Sequence, residues 1–89
     1  MSKINEYAIE KYTAHGYPRL FDEVGAEGLA VIQKHDEDAA KIVSETKECD
    51  EVVYVGYSST FSKYPDTIAS FVDCKNGNRI YVVNRKIQK

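Results

Sequence analysis

Ile4, Tyr7, Ala8, Lys11 and Tyr12 fall at i, i+3, i+4, i+7 and i+8, the spacing of one helical face. The pattern predicts a first helix from about Lys3 to His15, with Ser2 as its cap and Gly16 as its stop. Pro18 suits the first turn of a second, short helix that carries Leu20, Phe21 and Val24 and ends at Gly25. From Glu27 to Lys47 a long helix would align Val31, Ile32, His35, Ala39, Ile42, Val43 and Thr46. Glu37 and Lys41 would then pair on its exposed side. A competing reading makes Leu29–Lys34 a strand, with Asp36 capping a shorter helix, because Gly28 and β-branched Val31-Ile32 disfavour helix. The long helix is preferred.

The texture changes at Glu51. Val52-Val53-Tyr54-Val55-Gly56-Tyr57 is β-branched and aromatic, as strands prefer. Tyr64-Pro65-Asp66 is turn chemistry. Thr67–Cys74 and Asn78–Arg85 flank Lys75-Asn76-Gly77, which reads as a three-residue hairpin loop with Gly77 left-handed. That loop sets Cys74 against Asn78, Asp73 against Arg79, Phe71 against Tyr81, Ala69 against Val83 and Thr67 against Arg85. Val72 then meets Ile80, and Ser70 meets Val82. Opposite charges pair and aromatics pair, as cross-strand energetics favour. A two-residue Asn76-Gly77 loop would instead oppose Asp73 to Ile80, so the first register is preferred.

The expected fold class is therefore α+β: N-terminal helices packed on one face of a three-stranded antiparallel meander. Residues 1–89 make a single domain, with 1–50 the helical part and 51–89 the sheet, since single cores usually run to about 100–150 residues. Ile68, Val72, Cys74, Ile80 and Val82 should face the helices. The opposite face would carry Phe71, Asp73, Arg79, Tyr81, Val83 and Arg85.

Charge adds a polarity to this division. Residues 1–51 hold 6 basic against 12 acidic side chains (net −6), and residues 52–89 hold 6 against 2 (net +4). Such a dipole affects how a partner approaches rather than how the chain folds. No apolar run nears the roughly 18 residues of a membrane span, so no membrane association is expected. The N-terminus carries no signal-peptide stretch, which makes the cytoplasm the expected compartment. There, Cys49 and Cys74 would be two reduced, partly buried thiols, although one disulfide is arithmetically open.

Candidate chemistry is sparse. His15 reads as a helix C-terminal partner and His35 as a partly buried, hydrogen-bonded residue of the long helix. His35-Asp36-Glu37-Asp38 looks like a metal cluster, but consecutive helical residues point in different directions. Acidic neighbours would blunt the Cys49 thiol. Ser58-Ser59-Thr60 lacks the glycines of a phosphate loop. No catalytic residue, metal site or cofactor is expected. Seven tyrosines without a tryptophan are the one compositional excess, and tyrosine supplies contact area at low entropic cost.

The expected function is a non-enzymatic protein-binding module, of the inhibitor or adaptor type that phages and mobile elements encode. Its binding residues would be Phe71, Arg79, Tyr81, Arg85 and Tyr57, aromatic and arginine side chains of the kind that dominate interfaces. A free sheet edge could also pair with a partner or with a second copy of the chain. The alternative is a single-stranded nucleic-acid or RNA binder using the same basic aromatic face.

Overall fold

The computed structural model describes residues 3–88 and contains one long helix and a five-stranded mixed sheet. Chain order is β1 (Lys3–Ile4), α1 (Pro18–Ser44), β2 (Glu51–Tyr57), β3 (Ala69–Cys74), β4 (Arg79–Val83) and β5 (Lys86–Ile87). The sheet runs β1-β2-β3-β4-β5, parallel between β1 and β2 and antiparallel elsewhere. The α+β class holds, and the expected meander is its centre, β2-β3-β4. A sheet of three strands under several helices is not what forms. No helix of the described residues is long and apolar enough to cross a membrane.

The first expected helix is absent. Lys3–Ile4 instead lies beside Glu51–Val52, and Ile9 bridges Val55. The Asn5 amide donates to the Val52 carbonyl at 2.8 Å, and the Val55 amide to the Ala8 carbonyl at 2.8 Å. The helical spacing of this segment was real, but an open edge of β2 offered unpaired backbone groups, and satisfying those outweighed local periodicity. Tyr7, a member of the expected stripe, is 81% exposed, while Ala8 is fully buried. The cap assigned to Ser2 lies outside the described residues. His15 falls in an exposed turn rather than at a helix end.

Pro18 occupies the first turn of α1, and the expected stop at Gly25 appears as a non-helical residue, φ 73° and ψ −178°, at which α1 kinks between two helical stretches. A side chain strongly disfavours that backbone conformation, so glycine sets the break. Residues 29–34 are helical, which removes the strand alternative. The buried stripe is Leu29, Ile32, His35, Asp36, Ala39, Ala40 and Val43; Val31 is turned outward. On the exposed side the i, i+4 ion pair is Lys34–Asp38, at 3.4 Å, rather than Glu37–Lys41.

The hairpin register is the expected one at Asp73–Arg79, Val72–Ile80, Phe71–Tyr81, Ser70–Val82 and Ala69–Val83. Cys74 and Asn78 close the loop through the Cys74 amide and the Asn78 carbonyl, and Gly77 has φ 97°. The pairing stops short of Thr67 and Arg85. Asn84 and Arg85, at φ 47° and 64°, turn the chain back so that Lys86–Ile87 becomes β5. The Asn84 side chain accepts from the Ile68 amide at 2.9 Å. Lys63 and Thr67 exchange two backbone hydrogen bonds of 2.8 Å around the expected Tyr64-Pro65-Asp66 turn.

The core lies between α1 and the inner face of the sheet. It joins Ala39, Ala40 and Val43 to Val52, Val55, Val72 and Val82. Ile68 and Cys74 are buried on this side as expected, and Ile80 is half-buried. The cysteines are not free thiols: Cys49 and Cys74 form a disulfide. Pairing of Val52 with Cys74 brings residue 49 alongside, with the two Cα atoms 5.4 Å apart, inside the range a disulfide requires.

Candidate functional site

Three strands build the outer face of the sheet. On β3, Phe71 and Asp73 alternate outward; on β4, Arg79, Tyr81 and Val83 do the same, and β2 adds Tyr54 and Gly56. Phe71 lies directly over Gly56, where an added Cβ would sit 2.6 Å from the Phe71 ring. Glycine in a strand interior marks such a close approach. Tyr54 flanks the ring at 5.7 Å, and the Arg79 guanidinium stacks on it at 4.4 Å. Two hydrogen bonds to Asp73, of 2.6 and 3.0 Å, hold Arg79 there. Phe61, from the loop after β2, meets Tyr81 edge-on at 4.8 Å and is itself exposed.

Of the residues expected to form a site, Phe71, Arg79 and Tyr81 are brought together on this face. Arg85 is not. The turn after β4 sends its side chain towards α1, where Nε donates to Asp38 at 2.8 Å and its backbone amide donates to His35 Nε2 at 3.1 Å. Tyr57 lies opposite Ser70 on the inner side, half-buried, and borders a cavity between the end of β2 and the start of α1.

Facing that inner side is a chain of polar groups that the sequence did not reveal. Because the Arg85 amide donates to His35 Nε2, the imidazole proton sits on Nδ1 and is given to Ser70 Oγ at 2.7 Å. Ser70 passes its own proton to Asp36 Oδ1 at 2.5 Å. Tyr12 donates to Asp36 Oδ2 at 2.5 Å and accepts from the Tyr57 amide at 3.0 Å. Every donor has an acceptor, and His35, Asp36 and Ser70 are fully buried. Burial lowers the His35 pKa to about 4 and raises that of Asp36 to about 6, against the two hydroxyls that favour the carboxylate.

No protein-family model, curated protein sequence or solved structure matches the chain.

Serine, histidine and aspartate meet in this polar chain, yet the serine proton is directed to aspartate rather than to imidazole, opposite to what nucleophilic activation requires. The arrangement clamps β3, α1, the β4–β5 turn and the Tyr12 segment together. A signal for it existed: Ser70 alternates with Ile68, Val72 and Cys74 onto the core face, while His35 sits on the facing helical stripe. Polar residues at core positions of two opposed elements imply mutual hydrogen bonding. Gly56 likewise announced the close approach of an aromatic ring. Among the described residues no group of three or more His, Cys, Asp or Glu side chains converges as metal ligands would. The sequence cluster 35–38 disperses instead, with His35 and Asp36 inward and Asp38 on Arg85.

Proposed function

We propose that the chain is a non-enzymatic protein-binding module, of the inhibitor or adaptor type, that recognises its partner through the aromatic–arginine face. The observation that carries this reading is Arg79, stacked on Phe71 and gripped at both ends of its fork by Asp73. An arginine held in place before binding loses little freedom on contact, and arginine and tyrosine are the residues on which interface energy concentrates. Around it, Tyr54, Phe61 and Tyr81 supply contact area.

The alternative, a single-stranded nucleic-acid or RNA platform on the same face, has less support. Phosphate binding depends on cations free to neutralise it. Asp73 already neutralises Arg79, and Asp38 engages Arg85 on the other side of the sheet. Self-association through a sheet edge is also less favoured, because β1 and β5 are two residues each and short edges discourage strand addition. The sealed Ser70–His35–Asp36 chain supports a non-enzymatic reading. The disulfide favours an oxidising compartment over the cytoplasm.

The test is affinity capture from the native source, with and without nuclease, using wild type beside an Arg79→Ala/Tyr81→Ala double variant. One stoichiometric protein that survives nuclease and is missing from the variant is the expected result. Material that disappears with nuclease would transfer the face to nucleic acid.

A further inference from the structure

Beside the outer face, where β2 ends near the start of α1, lies a cavity of about 400 Å³. Tyr12, Tyr17, Tyr54 and Tyr57 line it together with Phe71, Leu20, Arg19 and Glu23. The rings stand in two tilted pairs, Tyr12–Tyr17 at 4.8 Å and 48°, and Tyr54–Phe71 at 5.7 Å and 42°. Aromatic faces carry the negative part of the ring quadrupole, so rings set around a cavity attract a cation.

Two of these phenols are more electron-rich than usual. Tyr12 donates its hydroxyl proton to Asp36 and Tyr17 donates to Glu10. A hydrogen bond from phenol to carboxylate pushes electron density back into the ring. Glu23 places a carboxylate on the wall itself, with Arg19 one turn earlier on α1 as the cation there, and Arg79, which lies against Phe71, is already paired with Asp73. Ionisation of two of these tyrosines is suppressed. The hydrogen bond to Glu10, followed by burial, pushes the Tyr17 phenol up to about 12. Burial, then Glu10 and Asp36, raises that of Tyr54.

We propose that this cavity is a cation box for the ammonium end of a lysine side chain, bare or N-methylated, presented by the partner protein. The inference rests on the protein-binding reading above and names the chemistry the partner must offer. Ammonium fits better than guanidinium here. Neither ring pair is parallel, being tilted by 48° and 42°, so they offer no flat slot of the kind a guanidinium stacks in, and Arg79 already lies against Phe71. Tyr54 and Phe71 belong to both the cavity and the outer face, so a partner seated on the face reaches the box without a gap.

The test needs no partner. The ¹⁵N-labelled chain is titrated with tetramethylammonium chloride, with neopentyl alcohol as the uncharged probe of similar shape and sodium acetate as the anion, at constant ionic strength. Saturable shifts at the Gly56 and Tyr57 amides with tetramethylammonium alone are expected. Tyr17→Leu should weaken them about tenfold. Glu23→Gln should weaken them less, and in both variants the remaining spectrum verifies the fold. Equal binding of neopentyl alcohol would make the cavity merely apolar, and acetate binding would make Arg19 its determinant. Absence of saturation with every probe would remove the site. Each of these outcomes overturns the cation box while leaving the protein-binding reading to the capture experiment.

Discussion

Along β3, Ser70 and Val72 face α1 and are fully buried, whereas Phe71 and Asp73 face away and are half-buried. On the helix side, valines and alanines interlock around a polar chain in which each proton has one destination. The far side is assembled from the strands themselves and one loop, through ring contacts, a stacked arginine and an exposed ion pair. A closed core resists any change because water cannot replace what is lost. An exposed cluster gives up little when one member goes, because solvent takes its place. The two sides of one strand thus divide the labour: the inner one holds the fold, and the outer one carries the face proposed to meet a partner.

That division can be broken most forcefully at the disulfide on the inner side. Loop-closure entropy for a crosslink spanning 25 residues amounts to about 3.5 kcal/mol. Cys49→Ala/Cys74→Ala should lose most of it, measured by urea denaturation against the oxidised wild type.

The polar chain gives a second handle, through pH. His35 is held neutral, so its contribution is complete above 6.5 and is lost as pH falls towards 4. Asp36 behaves oppositely: its contribution is complete below 3.8 and is lost as pH rises through 6. Near pH 5 the unfolded chain carries a proton on His35 and the folded chain carries one on Asp36. The two slopes therefore nearly cancel, and wild-type stability should be flat there. Removing one group exposes the other. In His35→Asn, stability should fall by about 2–3 kcal/mol between pH 4 and 6.5, and in Asp36→Asn it should rise by a similar amount. Parallel slopes in the two variants would contradict the assignment.

The smallest effect belongs to the outer face. Arg79→Ala should unfold thermally close to wild type, since exposed ion pairs contribute little net stability. Differential scanning calorimetry would measure it.

How legible each part was in the sequence follows from the reach of the interactions that decide it. The hairpin register could be read because its pairs lie 6–14 residues apart and charge and ring complementarity select one alignment. Pro18 and Gly25 bounded the first helical turns through backbone chemistry alone. The Lys3–Ile9 segment could not be read that way, because its outcome depended on a strand edge 46–48 residues away. Asp36 was hidden for the same reason. A mid-helix aspartate looks solvated until Ser70 and Tyr12 are placed beside it. Phe71, Arg79 and Tyr81 were legible through strand alternation. Arg85 followed the same alternation but was diverted by two left-handed residues that no local pattern required. The disulfide was open by cysteine count alone, and an argument about compartment set it aside.

The claim that one face folds and the other is free to bind is tested most directly by urea denaturation of Val72→Ala beside Tyr81→Ala. Val72→Ala should lose about 2 kcal/mol, because it leaves a cavity in the closed core. Tyr81→Ala should remain folded and lose about 1 kcal/mol. If Tyr81→Ala unfolds the chain while Val72→Ala is silent, the faces are inverted and the account fails.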